Sequence, residues 1–121
     1  MNKKKKILAV DDNPDNMAII EELFGELYDL RPATNGDEAI KIALDFQPDL
    51  ILLDVMMPNM DGYEVCRRLR RYSSLSETKI IMVTAKGELE DKVTGYEVGA
   101  SDYITKPFDE ENILESVEFF L

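Results

Sequence analysis

Apolar residues along the chain fall into two rhythms that take turns: short unbroken runs, and longer stretches with one residue in three or four apolar. The first run, KKILAV at 5–10, predicts a strand. Pro14 suits a first helical turn with Asn13 as its cap. Met17, Ile20, Leu23, Phe24 and Leu27 then predict one inward face of a helix over 14–27. YDLRPAT, 28–34, predicts a strand that Pro32 places at a sheet edge. NGDEAIKIALDF, 35–46, predicts a second helix with Ala39, Ile40, Ala43 and Leu44 inward. DLILLD, 49–54, is continuously apolar between its two end residues, as central parallel strands buried on both faces are. After the loop PNMDG, Asp61 with Glu64 suggests a capping box opening a third helix that runs to 71. KIIMVTA, 79–85, predicts another buried strand, and 88–98 a fourth helix weakened by Gly95 in its interior. SDYIT, 101–105, predicts a fifth strand, and DEENILESVEFFL, 109–121, a last amphipathic helix. On that helix Ile113, Leu114, Val117, Phe120 and Leu121 share one stripe, and Phe119 lies off it.

Strands alternating with helices predict an α/β domain, residues 1–121, doubly wound, with a five-stranded parallel sheet covered by helices on both faces. Crossovers in such a sheet are right-handed. Ligands bind outside the carboxyl ends of its strands, where the strand order reverses.

What collects at those ends is a chemical set. The first strand ends in Asp11 and Asp12, the third in Asp54, the fourth in Thr84, and the fifth is followed by Lys106 and Pro107. Adjacent carboxylates repel, so three of them at one edge call for a hard, oxygen-seeking divalent cation such as Mg²⁺. A hydroxyl and an ammonium beside the carboxylates suit a phosphoryl group, whose oxygens the cation and Lys106 would neutralise while Thr84 donates a hydrogen bond.

Composition narrows the classes. With 25 acidic against 14 basic residues the formal charge is −11, which disfavours direct binding to nucleic acid or to an anionic membrane. RRLRR at 67–71 therefore reads as a solvated helix face, and the lysines at 3–6 as a solvated terminus. The single Cys66 has no internal disulfide partner, and no apolar run approaches the length of a bilayer span or a signal peptide. A cytoplasmic location is expected. The chain contains no histidine, so any histidine chemistry must come from a partner.

VDDNPDN after the first strand, LILLDVMMPNMDGYE around Asp54, IIMVTAKG at the fourth strand and GASDYITKPF at the fifth resemble, in order and spacing, the receiver domains of two-component response regulators. The resemblance implies a flavodoxin-like sheet of order 2-1-3-4-5. It implies that Asp54 is the phosphoacceptor for a phosphohistidine on a histidine kinase or histidine phosphotransfer protein. Asp11, Asp12, Asp54 and the Met56 backbone carbonyl would hold Mg²⁺, and Lys106 would contact the phosphoryl group. Thr84 and Tyr103 would move together as a switch, Met56 and Lys86 would set the phosphoryl lifetime, and the Lys106–Pro107 peptide would be cis. The fourth helix, fifth strand and fifth helix would form the output surface, for a downstream effector, an attached output domain or a homodimer. Phe119 is the candidate contact there. Such a chain is not an enzyme beyond its own phosphorylation and dephosphorylation. The apolar end Phe119-Phe120-Leu121 suggests a receiver cut from a longer protein.

Three other readings compete. An Mg²⁺-dependent aspartyl-phosphate phosphatase of haloacid dehalogenase type would need Asp11 as nucleophile and an acid two places on, where Asn13 stands. A flavodoxin would need phosphate-cradling donors in the first loop, where Asp11 and Asp12 would repel the phosphate. An EF-hand loop over Asp11, Asn13, Asp15 and Glu22 lacks the glycine at its sixth place, occupied by Asn16.

Overall fold

A computed structural model describes residues 4–121; the first residues of the basic start lie outside them. The chain alternates as β1 (Lys6–Val10), α1 (Pro14–Phe24), β2 (Asp29–Ala33), α2 (Gly36–Phe46), β3 (Leu50–Leu53), α3 (Gly62–Arg70), β4 (Lys79–Thr84), α4 (Leu89–Glu97), β5 (Asp102–Thr105) and α5 (Glu110–Phe120). The five strands form one parallel sheet in the order β2-β1-β3-β4-β5, with Pro32 on the edge strand. A single 3-10 turn, Ser73–Leu75, joins α3 to β4 and has no counterpart in the apolar pattern.

The central strands explain their own composition. Successive side chains point to opposite faces of a sheet. Leu8, Val10, Ile51, Leu53, Ile80 and Met82 therefore pack under α2 and α3, while Ile7, Ala9, Leu50, Leu52, Ile81 and Val83 pack under α1 and α5. Both faces are dry, so every position must be apolar until the strand emerges at its carboxyl end.

Some sequence-based expectations change. Helix α1 stops at Phe24, where Gly25 caps it through its N–H to the Glu21 carbonyl. A Cβ at Gly25 would collide with that carbonyl. Leu27 thus falls in the turn beyond the helix and is 60% exposed, not inward. On α2 the buried stripe is Ala39, Ala43 and Phe46; Ile40 is half-buried, and Leu44, about 100° from Ala43, faces out. At α3 only half of the capping box forms. Asp61 accepts from the Glu64 N–H at 3.0 Å, but the Glu64 carboxylate pairs with Arg67 and Arg68. RRLRR is not uniformly solvated either. Arg70 turns inward and donates to the carbonyls of Gly99, Leu75 and Thr78, tying the end of α3 to the loops before β4 and β5.

Gly95 has a packing reason. A Cβ there would stand 2.7 Å from Tyr103 Cδ2 and 3.2 Å from Met82 Sδ, so α4 lies directly on the Tyr103 ring. The thiol of Cys66 is buried under α3, and burial pushes its pKa up to about 11, which keeps it unreactive.

Candidate functional site

Backbone pairing places the acids. The N–H of Asp11 reaches the Ala33 carbonyl at 3.0 Å and that of Asp54 reaches Val10 at 2.9 Å, so each aspartate continues its strand by one ladder step. Asn13 caps α1 by accepting from Asp15 and Asn16 N–H groups, which turns the chain sharply after Asp12. On the other side, Gly62 N–H bonds the Val55 carbonyl at 2.9 Å. A Cβ on Gly62 would strike the Asp54 carbonyl oxygen and sit 2.7 Å from Val55 Cα. Only glycine lets the start of α3 press this closely on the Asp54 loop. Asn59 supplies that loop's left-handed turn at φ 70°.

One carboxylate oxygen from each of Asp11, Asp12 and Asp54 lies within 4.8 Å of the others. Asp11 and Asp54 are buried; Asp12 is exposed. Asp11 is fully engaged: one oxygen accepts from the Asn13 N–H at 2.9 Å and the other from Lys106 Nζ at 2.9 Å. The Lys106 ammonium also stands 3.7 Å from Asp54. The Lys106–Pro107 peptide is cis, and the Lys106 N–H bonds the Thr84 carbonyl at 2.7 Å. Asp54 takes a 3.2 Å hydrogen bond from the Met56 N–H. Burial raises its pKa; Lys106 and the Met56 N–H pull it back down, and the Asp11 and Asp12 charges push it up again. Two buried acids and one exposed acid against one ammonium leave the cluster short of positive charge. An all-oxygen donor set of this kind fits Mg²⁺.

Thr84 is wholly buried, and its hydroxyl accepts the Lys86 N–H at 3.3 Å. Tyr103 is buried, and its hydroxyl donates to the Lys86 carbonyl at 2.7 Å. Lys86 is therefore gripped at its N–H by Thr84 and at its carbonyl by Tyr103. Met56 extends its side chain outward, 53% exposed, at the rim.

Sequence reasoning overlooked Tyr63. Its hydroxyl lies 3.0 Å from the Tyr103 hydroxyl and donates to the Asp91 carbonyl at 3.0 Å, joining the first turn of α3 to α4. An aromatic residue directly after the Asp61-Gly62 turn was the available signal, but its reach to Tyr103 depends on the tertiary fold.

Residues 7–118 match the response regulator receiver domain family. The DNA-binding dual master transcriptional regulator RpaA of Synechocystis is 43% identical over 119 residues, covering 96% of this chain and 48% of that protein. The alkaline phosphatase synthesis transcriptional regulatory protein PhoP of Bacillus subtilis is 45% identical over 118 residues, covering 97% and 48%. The chain thus spans about half the length of these curated relatives. The chemotaxis protein CheY4 of Vibrio cholerae superposes with a TM-score of 0.92 at 33% identity, covering 98% of this chain and 99% of that one. No helix among the described residues is long and apolar enough to cross a membrane. The carboxylate cluster at the strand ends, the sheet order and these matches agree: this chain belongs to the response regulator receiver domains of two-component systems.

Proposed function

We propose that residues 1–121 form one receiver domain that works as a phosphorylation-dependent switch. In it, Asp54 accepts a phosphoryl group from a phosphohistidine on a partner kinase or phosphotransfer protein. One observation carries this: Asp54 is buried at the end of a central strand, with the Asp11 and Asp12 oxygens within 4.8 Å and the Lys106 ammonium 3.7 Å away. A buried carboxylate is a weak nucleophile that becomes competent through positioning and counter-charge. The Met56 N–H fixes one Asp54 oxygen, leaving the other to attack. That oxygen forms the O–P bond as the P–N bond to imidazole breaks, and the imidazole leaves with the bonding electrons. Lys106 is placed to meet the negative oxygens of the transferring group.

Asp11, Asp12, Asp54 and the Met56 carbonyl would hold Mg²⁺, which when bound supplies positive charge to the phosphoryl oxygens and offsets the carboxylate repulsion. Exposed Asp12, with no hydrogen bond to its carboxylate among the described residues, is the freest ligand. A groove lined by Ile19, Pro107 and Phe108 opens beside Lys106, giving a donor protein a surface to approach.

The switch follows from the grip on Lys86. Thr84 would donate its own hydroxyl proton to a phosphoryl oxygen while its oxygen accepts the Lys86 N–H, so a shift of Thr84 toward the phosphoryl group would draw the loop after β4 with it. Tyr103 holds the carbonyl of the same residue, so loop and ring move together, and α4 lies on the ring through Gly95. The signal would reach an effector or output domain over α4, β5 and α5. Met56 and Lys86 at the rim would set the phosphoryl lifetime. The phosphatase alternative has no acid at its second position, because Asn13 is committed to capping α1.

The test is transfer. A histidine kinase carrying labelled phosphohistidine, mixed with this chain and Mg²⁺, should pass label to it. Chelation or Asp54→Asn should stop transfer, and label moving equally to Asp54→Asn would defeat the proposal.

A further inference from the structure

On a chain whose formal charge is −11, the groove between α2 and the end of α3 is basic. It encloses about 760 Å³ and is lined by Asp37, Ile40 and Lys41 on α2 and by Arg68, Arg71 and Tyr72 at the end of α3 and just beyond it. None of Asp11, Asp12, Asp54, Thr84 or Lys106 borders it. Arg68 donates its Nε to Glu64 at 3.0 Å, which fixes the guanidinium and leaves its terminal nitrogens without an acceptor among the described residues. Lys41 and Arg71 have no ion-pair partner among the described residues.

The dipole of α3 favours bases in its last turn, and Arg70 meets that preference by bonding carbonyls. The dipole gives no reason for Lys41, in the middle of α2, to border the same hollow. Carboxylates outnumber bases 25 to 14 along the chain, yet here three cations face one carboxylate, Asp37. Including Arg67 and the Glu64 that it shares with Arg68 leaves the same excess of two positive charges.

The lining narrows the ligand. Guanidinium forks match phosphate oxygens two at a time, and a lysine adds a point charge. Two positive charges in excess balance a phosphate monoester, which is almost doubly ionised near neutral pH. Tyr72 is 41% exposed and offers a ring face on which a flat heterocycle stacks. Ionised Asp37 only accepts hydrogen bonds, so it calls for an N–H or O–H donor on the ligand. Polyphosphates and nucleic acids carry more negative charge than the groove balances, and the field of the whole chain opposes them. An acidic polypeptide would run past the groove onto α2, where exposed Glu38 and Asp45 repel it.

We propose that this groove binds a purine nucleoside monophosphate. Lys41, Arg68 and Arg71 hold the phosphate, Tyr72 stacks on the base, and Asp37 accepts from a base amine or a ribose hydroxyl. The groove falls within the range of about 300–1,000 Å³ that small-molecule sites occupy. The site is independent of the role of Asp54.

The probe is adenosine 5′-monophosphate, titrated into the chain in EDTA so that no divalent cation carries the phosphate to the acid cluster. Calorimetry and amide chemical shifts follow the titration. The expected result is one saturable site with a dissociation constant of about 10–100 μM. Its shifts should centre on residues 37–41 and 68–72. Adenosine lacks the phosphate and inorganic phosphate lacks the ring, so each should bind at least about tenfold more weakly. Lys41→Gln, Arg71→Gln and Tyr72→Ala, all at exposed positions, should each weaken binding about tenfold. Lys92→Gln, which removes a cation on α4, and Asp54→Asn should leave it unchanged. Inorganic phosphate binding as tightly as the nucleotide would reveal a bare charge patch and overturn the proposal. Undiminished binding by Lys41→Gln and Arg71→Gln, shifts centred on Asp54, or an oligoglutamate peptide that binds the groove more tightly than the nucleotide would overturn it too.

Discussion

Gly95→Ala tests whether α4 rests on the Tyr103 ring. In an isolated helix the change is favourable by about 1 kcal/mol, because glycine has the larger backbone entropy to lose. Here the new methyl would stand 2.7 Å from Tyr103 Cδ2 and 3.0 Å from Cε2. Carbon atoms prefer about 3.5–4.0 Å, so ring or helix must yield by close to an ångström. The ring cannot swing away freely, since its hydroxyl donates to the Lys86 carbonyl at 2.7 Å. Overpacking of this kind costs about 1–3 kcal/mol, and a lost hydrogen bond about 1 more. The net expectation is a loss of about 1–3 kcal/mol, a fall in melting temperature of roughly 4–12 °C for a domain of this size. Urea unfolding of Gly95→Ala, Tyr103→Ala and the double variant closes a cycle that isolates the contact. In the Tyr103→Ala background the methyl has room, so the same substitution should become neutral or stabilising. A Gly95→Ala variant that gains stability in the wild-type background, or loses the same amount in both, would refute the packing argument.

Other consequences follow from the acid cluster and its rim. Mg²⁺ at a hundred times its dissociation constant should stabilise the fold by about 2.7 kcal/mol by linkage, and Asp12→Ala should abolish that response in calorimetry. Burial raises the Asp54 pKa above its ordinary 3.8. The protonated form is therefore the one the fold favours: its stabilisation is complete below 3.8 and is lost as pH rises through the raised value. Without divalent cations, Asp54→Asn should then be more stable than the parent at neutral pH, and the gap should close on acidification towards 3.8; a gap that widens would reverse the sign. Met56 places an exposed apolar chain at the rim, where it cannot orient a water. Met56→Asn should speed loss of the phosphoryl group in a decay assay, and an equal or slower rate would remove Met56 from that role.

The sheet was legible because its physics is local. Ile7–Val10, Leu50–Leu53 and Ile80–Val83 are apolar at every position, which only a strand covered on both faces requires. Asp11, Asp12 and Asp54 were legible because carboxylates interrupt those runs where the strands leave the core. Where the reading went astray, the deciding contact was tertiary. Leu27 has helical spacing, but Gly25 ends α1 before it. Leu44 loses the inward place to Phe46. Arg70 belongs to a basic run, yet the carbonyls of Leu75 and Thr78 just after its helix and of Gly99 before β5 draw it inward. Gly95 looked like a weakness in a helix and is a fitted contact. Tyr63 meets Tyr103 across 40 residues of chain, a pairing that no local pattern encodes.

The most direct measurement locates a phosphoryl group. The chain is incubated with acetyl phosphate and Mg²⁺, reduced with borohydride to trap any acyl phosphate, digested and sequenced by mass spectrometry. The account predicts a single acid-labile phosphoryl group per chain, with the reduction product at Asp54 and none in Asp54→Asn. Modification at Asp11 or Asp12, or stable phosphate on serine or threonine with Asp54 untouched, would contradict it.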